Sequence, residues 1–116
     1  MNFIYLASPY THPDKDVVLQ RVEDTKQYFA YAVGKLEQVV FSPILQCHET
    51  AIAWGLPTDM MFWQRYNCHF MQACDAIHVL TLPGWEESKG VKFELDWAAW
   101  HSKPVSFVSL SDTPSN

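Results

Sequence analysis

The sequence predicts an α/β fold: a Rossmann-like or flavodoxin-like three-layer sandwich around a parallel sheet of four or five strands. Three observations carry this reading. Short apolar, β-prone runs recur along the chain, stretches of helical period lie between them, and turn-forming residues directly follow the first three runs. Strand and helix signals that alternate in this way imply crossover connections, and crossovers give parallel strands covered by helices on both faces.

Residues 2–7 form the first apolar run and read as a buried strand. The next segment, Ser8-Pro9-Tyr10-Thr11-His12-Pro13-Asp14, is crowded with turn formers. From residue 16 to about 36, Leu19, Val22, Phe29, Val33 and Leu36 recur close to helical period. That spacing assigns them to the sheet side and leaves Lys15, Asp16, Arg21, Glu23, Asp24 and Lys26 on the charged face. Residues 38–42 read as a second strand, stopped by Pro43. Residues 43–58 read as irregular, with one helical turn near 48–54 and a stop at Gly55-Leu56-Pro57. Thr58 is the expected cap of a helix running to about Cys74. Residues 76–82 form the third strand, broken by Pro83-Gly84, and 88–102 read as a helix capped by Ser88. Residues 105–109 form the fourth strand. The domain is expected to span residues 1–110, with 111–116 a frayed polar tail.

Bulk properties exclude several classes of function. The 116 residues fit one domain, and a chain with 48% hydrophobic and 15% aromatic residues packs rather than stays disordered. Its net charge of −5 and lack of any Lys/Arg run argue against nucleic acid as a partner. A small anion stays compatible, because one helix N-terminus can hold it. No apolar run approaches the ~20 residues of a membrane helix, so no membrane partner is expected, and the first run reads as a strand rather than a signal peptide. Cys47, Cys68 and Cys74 are odd in number and irregularly spaced, which points to a reduced, cytoplasmic setting. Without a C-x-x-C pair or an H-E-x-x-H helix, no metal is expected. Dinucleotide and triphosphate folds of the Gly-x-Gly-x-x-Gly and Walker types are excluded for want of those motifs. Cys68 and His69 do not form a nucleophile pair, because adjacent helical side chains diverge by ~100°.

The stretch richest in chemistry is Leu82-Pro83-Gly84-Trp85-Glu86-Glu87-Ser88-Lys89-Gly90-Val91-Lys92-Phe93-Glu94. A strand ends, a Pro-Gly turn follows, and a helix opens at Ser88. The backbone N–H groups of Lys89, Gly90 and Val91 would lack intrahelical acceptors and face an anion. Glu94 follows a turn and a half later, beside Gly90, Val91, Trp97 and Ala98. A carboxylate in such apolar company costs free energy unless it is paired or used. The competing reading makes Glu94 solvent-facing, or paired with Lys89 or Lys92.

Tyr5-Leu6-Ala7-Ser8-Pro9-Tyr10, Phe41-Ser42-Pro43-Ile44, Cys74-Asp75-Ala76-Ile77 and Gly84-Trp85-x-x-Ser88-x-Gly90-x-x-x-Glu94 together resemble the nucleoside 2-deoxyribosyltransferase superfamily. That superfamily includes nucleotide N-hydrolases acting on deoxynucleoside monophosphates, and the likeness covers residues 3 to about 108. It implies that Glu94 attacks the anomeric carbon and displaces the base, and that the sugar ester then passes to water or to a second base. An ionised carboxylate is required, and the positive end of a helix is expected to favour it. The resemblance places a phosphate-contacting serine at Ser88, which tilts the substrate toward a 5′-phosphorylated nucleotide. The orienting tyrosine falls at Tyr5 or, one residue off, at Ile4. The family's Asp that assists the leaving base corresponds to Asn67, which cannot donate a proton but can hydrogen-bond a base edge.

Other assignments are shared between function and packing. Ser8 and Tyr10 would line a sugar pocket or simply form a turn. His48 would contact phosphate or base, or be a structural histidine. Trp85 would stack on a base, or close the core or an oligomer contact. Asp75, at the far end of its strand, reads as capping or packing, and Trp54, Trp63, Trp97 and Trp100 as packing or subunit contacts. The expected ligand is a small-molecule nucleotide or nucleoside, no cofactor is required, and a homo-oligomer (dimer or tetramer) is expected. A non-catalytic nucleotide binder and a protein-binding scaffold with a vestigial pocket are the alternatives.

Overall fold

The computed structural model describes residues 2–57 and 60–114. The strands are β1 (Phe3–Ala7), β2 (Val39–Phe41), β3 (Ala76–Leu80) and β4 (Val105–Val108), all parallel, in the order β2-β1-β3-β4. The helices are α1 (Lys15–Gly34), α2 (Pro43–Ala53), α3 (Met60–Ala73) and α4 (Lys89–Trp100). The fold is the expected three-layer α/β sandwich, with four strands.

Strand parity builds the two cores. Tyr5, Ala7, Ile77 and Val79 point to one face, where Met71 and Cys74 at the end of α3 and Val91 and Ala98 of α4 cover them. Leu6 and Leu80 point to the other face and pack on Tyr28 and Ala32 of α1, together with Leu82. Asp75 ties the sheet at its amino end: its carboxylate accepts from the Phe3 amide at 2.7 Å, and its own amide donates to the Phe3 carbonyl. Of the capping and packing roles expected for it, the exposed Asp75 performs the capping one.

Three local expectations are corrected. Residues 43–53 are a full helix rather than an irregular segment. Ser42 is its N-cap, accepting from the Leu45 amide at 3.3 Å, and Pro43 occupies the first turn, where its missing N–H costs nothing. The buried face of α1 is Arg21, Val22, Thr25, Tyr28 and Ala32, while Leu19 (55% exposed), Val33 and Leu36 face outward. The tail does not begin to fray at 111. Residues 110–112 form a 3-10 turn closed by a capping box between Ser109 and Asp112, and Thr113 accepts from the Gln27 side chain on α1. The predicted cap Thr58 lies outside the described residues. Among those described, no helix is long and apolar enough to cross a membrane.

With β1 central and the chain running first to β2 and then back to β3, the strand order reverses between β1 and β3. The loops after these two strands diverge there and leave a crevice at the carboxyl end of the sheet.

Candidate functional site

A cavity of about 620 Å³ opens at this crevice. Its floor comes from the loop after β1 (Ser8, Tyr10, Thr11, Pro13), one wall from α2 (Ile44, Cys47, His48, Ala51), and another from α3 (Trp63, Gln64, Asn67). The first turns of α4 and the residue before its cap complete it with Glu87, Ser88, Lys89, Gly90, Phe93 and Glu94. The volume falls in the range of small-molecule sites.

Glu94 is the chemical centre of this hollow. It is only 7% exposed, yet it lines the cavity, so the competing solvent-facing and lysine-paired readings are both set aside. Lys92 instead pairs with Asp96 at 3.2 Å on the outer face of α4. The phenol of Tyr5, pointing from β1 into the same layer as α4, donates to Glu94 Oε2 at 2.5 Å. Tyr5 itself is fully buried beside the cavity, and burial and the neighbouring carboxyl push its pKa well above that of a free phenol.

The expected ionisation of Glu94 is corrected by this geometry. Burial raises its pKa to about 8, and the Tyr5 hydrogen bond only partly opposes the rise. The helix N-terminus does not hold the charge, because Glu94 lies beyond the first turn, where the dipole's effect fades. A lift from 4.5 to about 8 corresponds to about 5 kcal/mol, against roughly 0.3–2 kcal/mol for a charge at a helix end. Desolvation wins.

Ser88 caps α4 as expected, its Oγ accepting from the Val91 amide at 3.2 Å. That bond occupies one of the three amides assigned to an anion, and the Val91 side chain is buried in the core, so Val91 leaves the list of ligand contacts. The amides of Lys89 and Gly90 have no acceptor within the helix and remain available, along with the Ser88 hydroxyl proton. At Gly90 an added Cβ would meet only Ser88 Oγ at 3.9 Å, so the protein leaves open a space that a ligand can use.

Trp85 is also corrected. It lies against Phe107 of β4, ring centroids 5.4 Å apart, and packs on the sheet core rather than in the cavity. The 3-10 turn over residues 85–87 directs its side chain toward the sheet edge, not into the crevice. Trp63, expected in packing, does line the cavity, and its indole N–H is fixed on the Pro57 carbonyl at 2.7 Å.

Ser8, Tyr10, His48 and Asn67 are gathered around the same space as Glu94. Tyr10 Oη and His48 Nδ1 share a 2.6 Å hydrogen bond, which orients the imidazole. Burial raises the Tyr10 pKa, so the phenol keeps its proton and can donate. Ser8 Oγ and Asn67 Oδ1 are buried with no hydrogen-bond partner. Buried polar atoms are normally paired, and an unpaired one costs about 1–3 kcal/mol. Both residues line the cavity.

Arg21 was read as a charged-face residue and is instead a structural clasp. Its guanidinium donates to the carbonyls of Thr11 at 3.0 Å and Pro83 at 3.2 Å, joining the loops after β1 and β3. Gly84, at φ +87°, permits this approach, since a Cβ there would stand 2.5 Å from Arg21 Nη2. The sequence signal for the clasp was the Pro-Gly turn; nothing in helical periodicity marks Arg21 as buried. Among the described residues no group of three or more His, Cys, Asp or Glu side chains is placed to hold a metal ion.

No curated protein matches the chain. Residues 2–110 match the family described as "Domain of unknown function (DUF1937)", which spans all four strands and the whole cavity, and the chain belongs to that family.

Proposed function

We propose that the protein cleaves or exchanges the N-glycosidic bond of a (deoxy)nucleoside 5′-monophosphate, with Glu94 as nucleophile. The observation that carries this reading is a buried carboxyl facing a ligand-sized hollow and held by a hydrogen bond from Tyr5. Such a group costs stability in the empty fold, and glycosyl transfer is a use that requires it there. The ionised carboxylate attacks the anomeric carbon, the C–N bond breaks, and its electron pair departs with the base. Water or a second base then attacks the same carbon and releases the carboxylate. The Tyr5 phenol aims the attacking oxygen, while Ser88 and the amides of Lys89 and Gly90 seat the 5′-phosphate about 9 Å along the helix axis from Glu94.

A second reading, a non-catalytic nucleotide binder, has two observations in its favour. Asn67 stands where the resemblance puts an acid serving the leaving base, and burial raises the Glu94 pKa to about 8. Incubation with a panel of deoxynucleoside monophosphates, with chromatography for free base, separates the two. Base release that disappears in Glu94→Ala supports the enzyme, whereas a raised melting temperature with no release supports the binder. Trp54 at 82% exposed, with Ile52 and Met61 also open to solvent, supports the proposed dimer or tetramer. Sedimentation of the full chain tests it.

A further inference from the structure

The mouth of the cavity carries a charge that neither the nucleophile nor the phosphate seat uses. Around the start of α4 the lining runs from buried Glu94 through half-buried Gly90 and Ser88 to exposed Lys89 and Glu87. Glu87 ends the 3-10 turn before the helix. Its amide donates to the Gly84 carbonyl and the Ser88 amide to the Trp85 carbonyl, both at 3.2 Å. With the Val91 amide spent on Ser88 Oγ, the amides of Lys89 and Gly90 are those left for an anion. Of the described residues that line the cavity, Lys89 is the one lysine or arginine, whereas Glu87 and Glu94 are both acids. The other basic side chain of the lining, His48, is on α2 and bonded to Tyr10 through Nδ1. No salt bridge among the described residues engages Lys89 or Glu87.

We propose that Glu87 is a specificity residue: it limits the ligand to a single terminal phosphate and rejects nucleoside di- and triphosphates. The inference rests on the nucleotide reading above and adds the phosphate count. The first phosphate meets two amides, the Ser88 hydroxyl and the Lys89 ammonium, a donor set that replaces its water. A second phosphate extends from the first toward solvent, because the sugar occupies the direction of Glu94. On that side the Glu87 and Ser88 amides are already bonded, no further lysine or arginine lines the wall among the described residues, and the Glu87 carboxylate stands instead. Like charges a few ångströms apart repel, and water at an exposed rim weakens that repulsion without abolishing it. A diphosphate therefore gives up hydration for no new donor and gains a like-charged neighbour.

The test is calorimetric binding of the four common deoxynucleosides, each as mono- and diphosphate, to full-length Glu94→Gln in metal-free buffer. That variant cannot turn the ligands over. For the base that binds best, the monophosphate is expected to bind on the order of tenfold more tightly than the diphosphate at low salt. Adding Glu87→Gln, which keeps the shape and removes the charge, should bring the two to within about threefold. Raising the salt from about 50 mM to about 500 mM with Glu87 intact should also narrow the gap, because exposed charges are screened. A diphosphate that binds as tightly as the monophosphate overturns the phosphate count. A preference that survives both Glu87→Gln and high salt is steric and overturns the role of Glu87. Either result leaves the nucleotide reading intact, whereas binding of none of the ligands overturns both. Should the Glu87→Gln protein fail to fold, the salt series on the unaltered glutamate still decides.

Discussion

Replacing Glu94 with glutamine is expected to stabilise the protein, by an amount that grows with pH. The folded-state pKa of about 8 lies above the unfolded value of 4.5, so between these values the native chain holds a proton that the unfolded chain releases. The penalty is absent below about pH 4.5, increases by about 1.4 kcal/mol per pH unit, and levels off above about pH 8. At pH 7 it amounts to about 3 kcal/mol, a large share of the 5–15 kcal/mol typical of a domain. Glutamine has nearly the shape of the protonated acid, still accepts the Tyr5 hydrogen bond, and never ionises. Urea denaturation of both proteins at pH 5, 6, 7 and 8 should show curves that nearly coincide at pH 5 and diverge steadily. At pH 7 the variant should melt roughly 12 °C higher, at about 4 °C per kcal/mol for a chain of this size. Comparing the two proteins isolates Glu94 from every other titrating group. A stability difference that stays constant within about 0.5 kcal/mol from pH 5 to pH 8 would refute the desolvated carboxyl, and with it the argument that function retains it.

If Glu94 is the nucleophile, kcat/KM for base release should climb about tenfold per pH unit and level off near pH 8, as the carboxyl loses its proton. Tyr5→Phe removes the hydrogen bond that lowers this pKa, so the limb should move to higher pH and the rate at pH 7 should fall. An unmoved limb would deny Tyr5 its orienting role. Ser88→Ala should cost about 1 kcal/mol through the lost cap and weaken binding of nucleotides relative to nucleosides, measured by urea titration and calorimetry. Gly84→Ala should lose on the order of 1–3 kcal/mol, because the backbone stands at φ +87° and the new methyl meets Arg21. An unchanged denaturation midpoint for that variant would show that the clasp is dispensable.

Much of the fold was legible along the chain because its signals are local. The apolar strands announce themselves by composition, and Ser88 and the Pro-Gly turn mark how α4 begins. The helix α2 was missed although its signal was present: Ser42 reads as the end of a strand and Pro43 as its stop, and the same pair is an N-cap followed by a first-turn proline. The buried face of α1 was misassigned because periodicity ranks residues by hydrophobicity. Arg21 and Thr25 are buried through hydrogen bonds to backbone carbonyls instead.

The site divides in the same way. Glu94, Ser88 and Gly90 could be picked out because they share one helical segment with fixed spacing. Trp63, Gln64 and Phe93 could not, because an aromatic or amide on a helix reads the same whether it faces the core, a partner or a cavity. Trp85 failed in the opposite sense, its place decided by Phe107 on a strand far along the chain. By itself the sequence determined the order of the strands, the capped helix and the acid inside it, since these depend on neighbours a few residues apart. Only the tertiary structure decided that Tyr5 meets Glu94 from 89 residues away, that two polar atoms are left unpaired around one hollow, and that burial raises the acid's pKa to about 8. Those properties arise from the exclusion of water by packed elements, and solvent exclusion is a property of the folded whole.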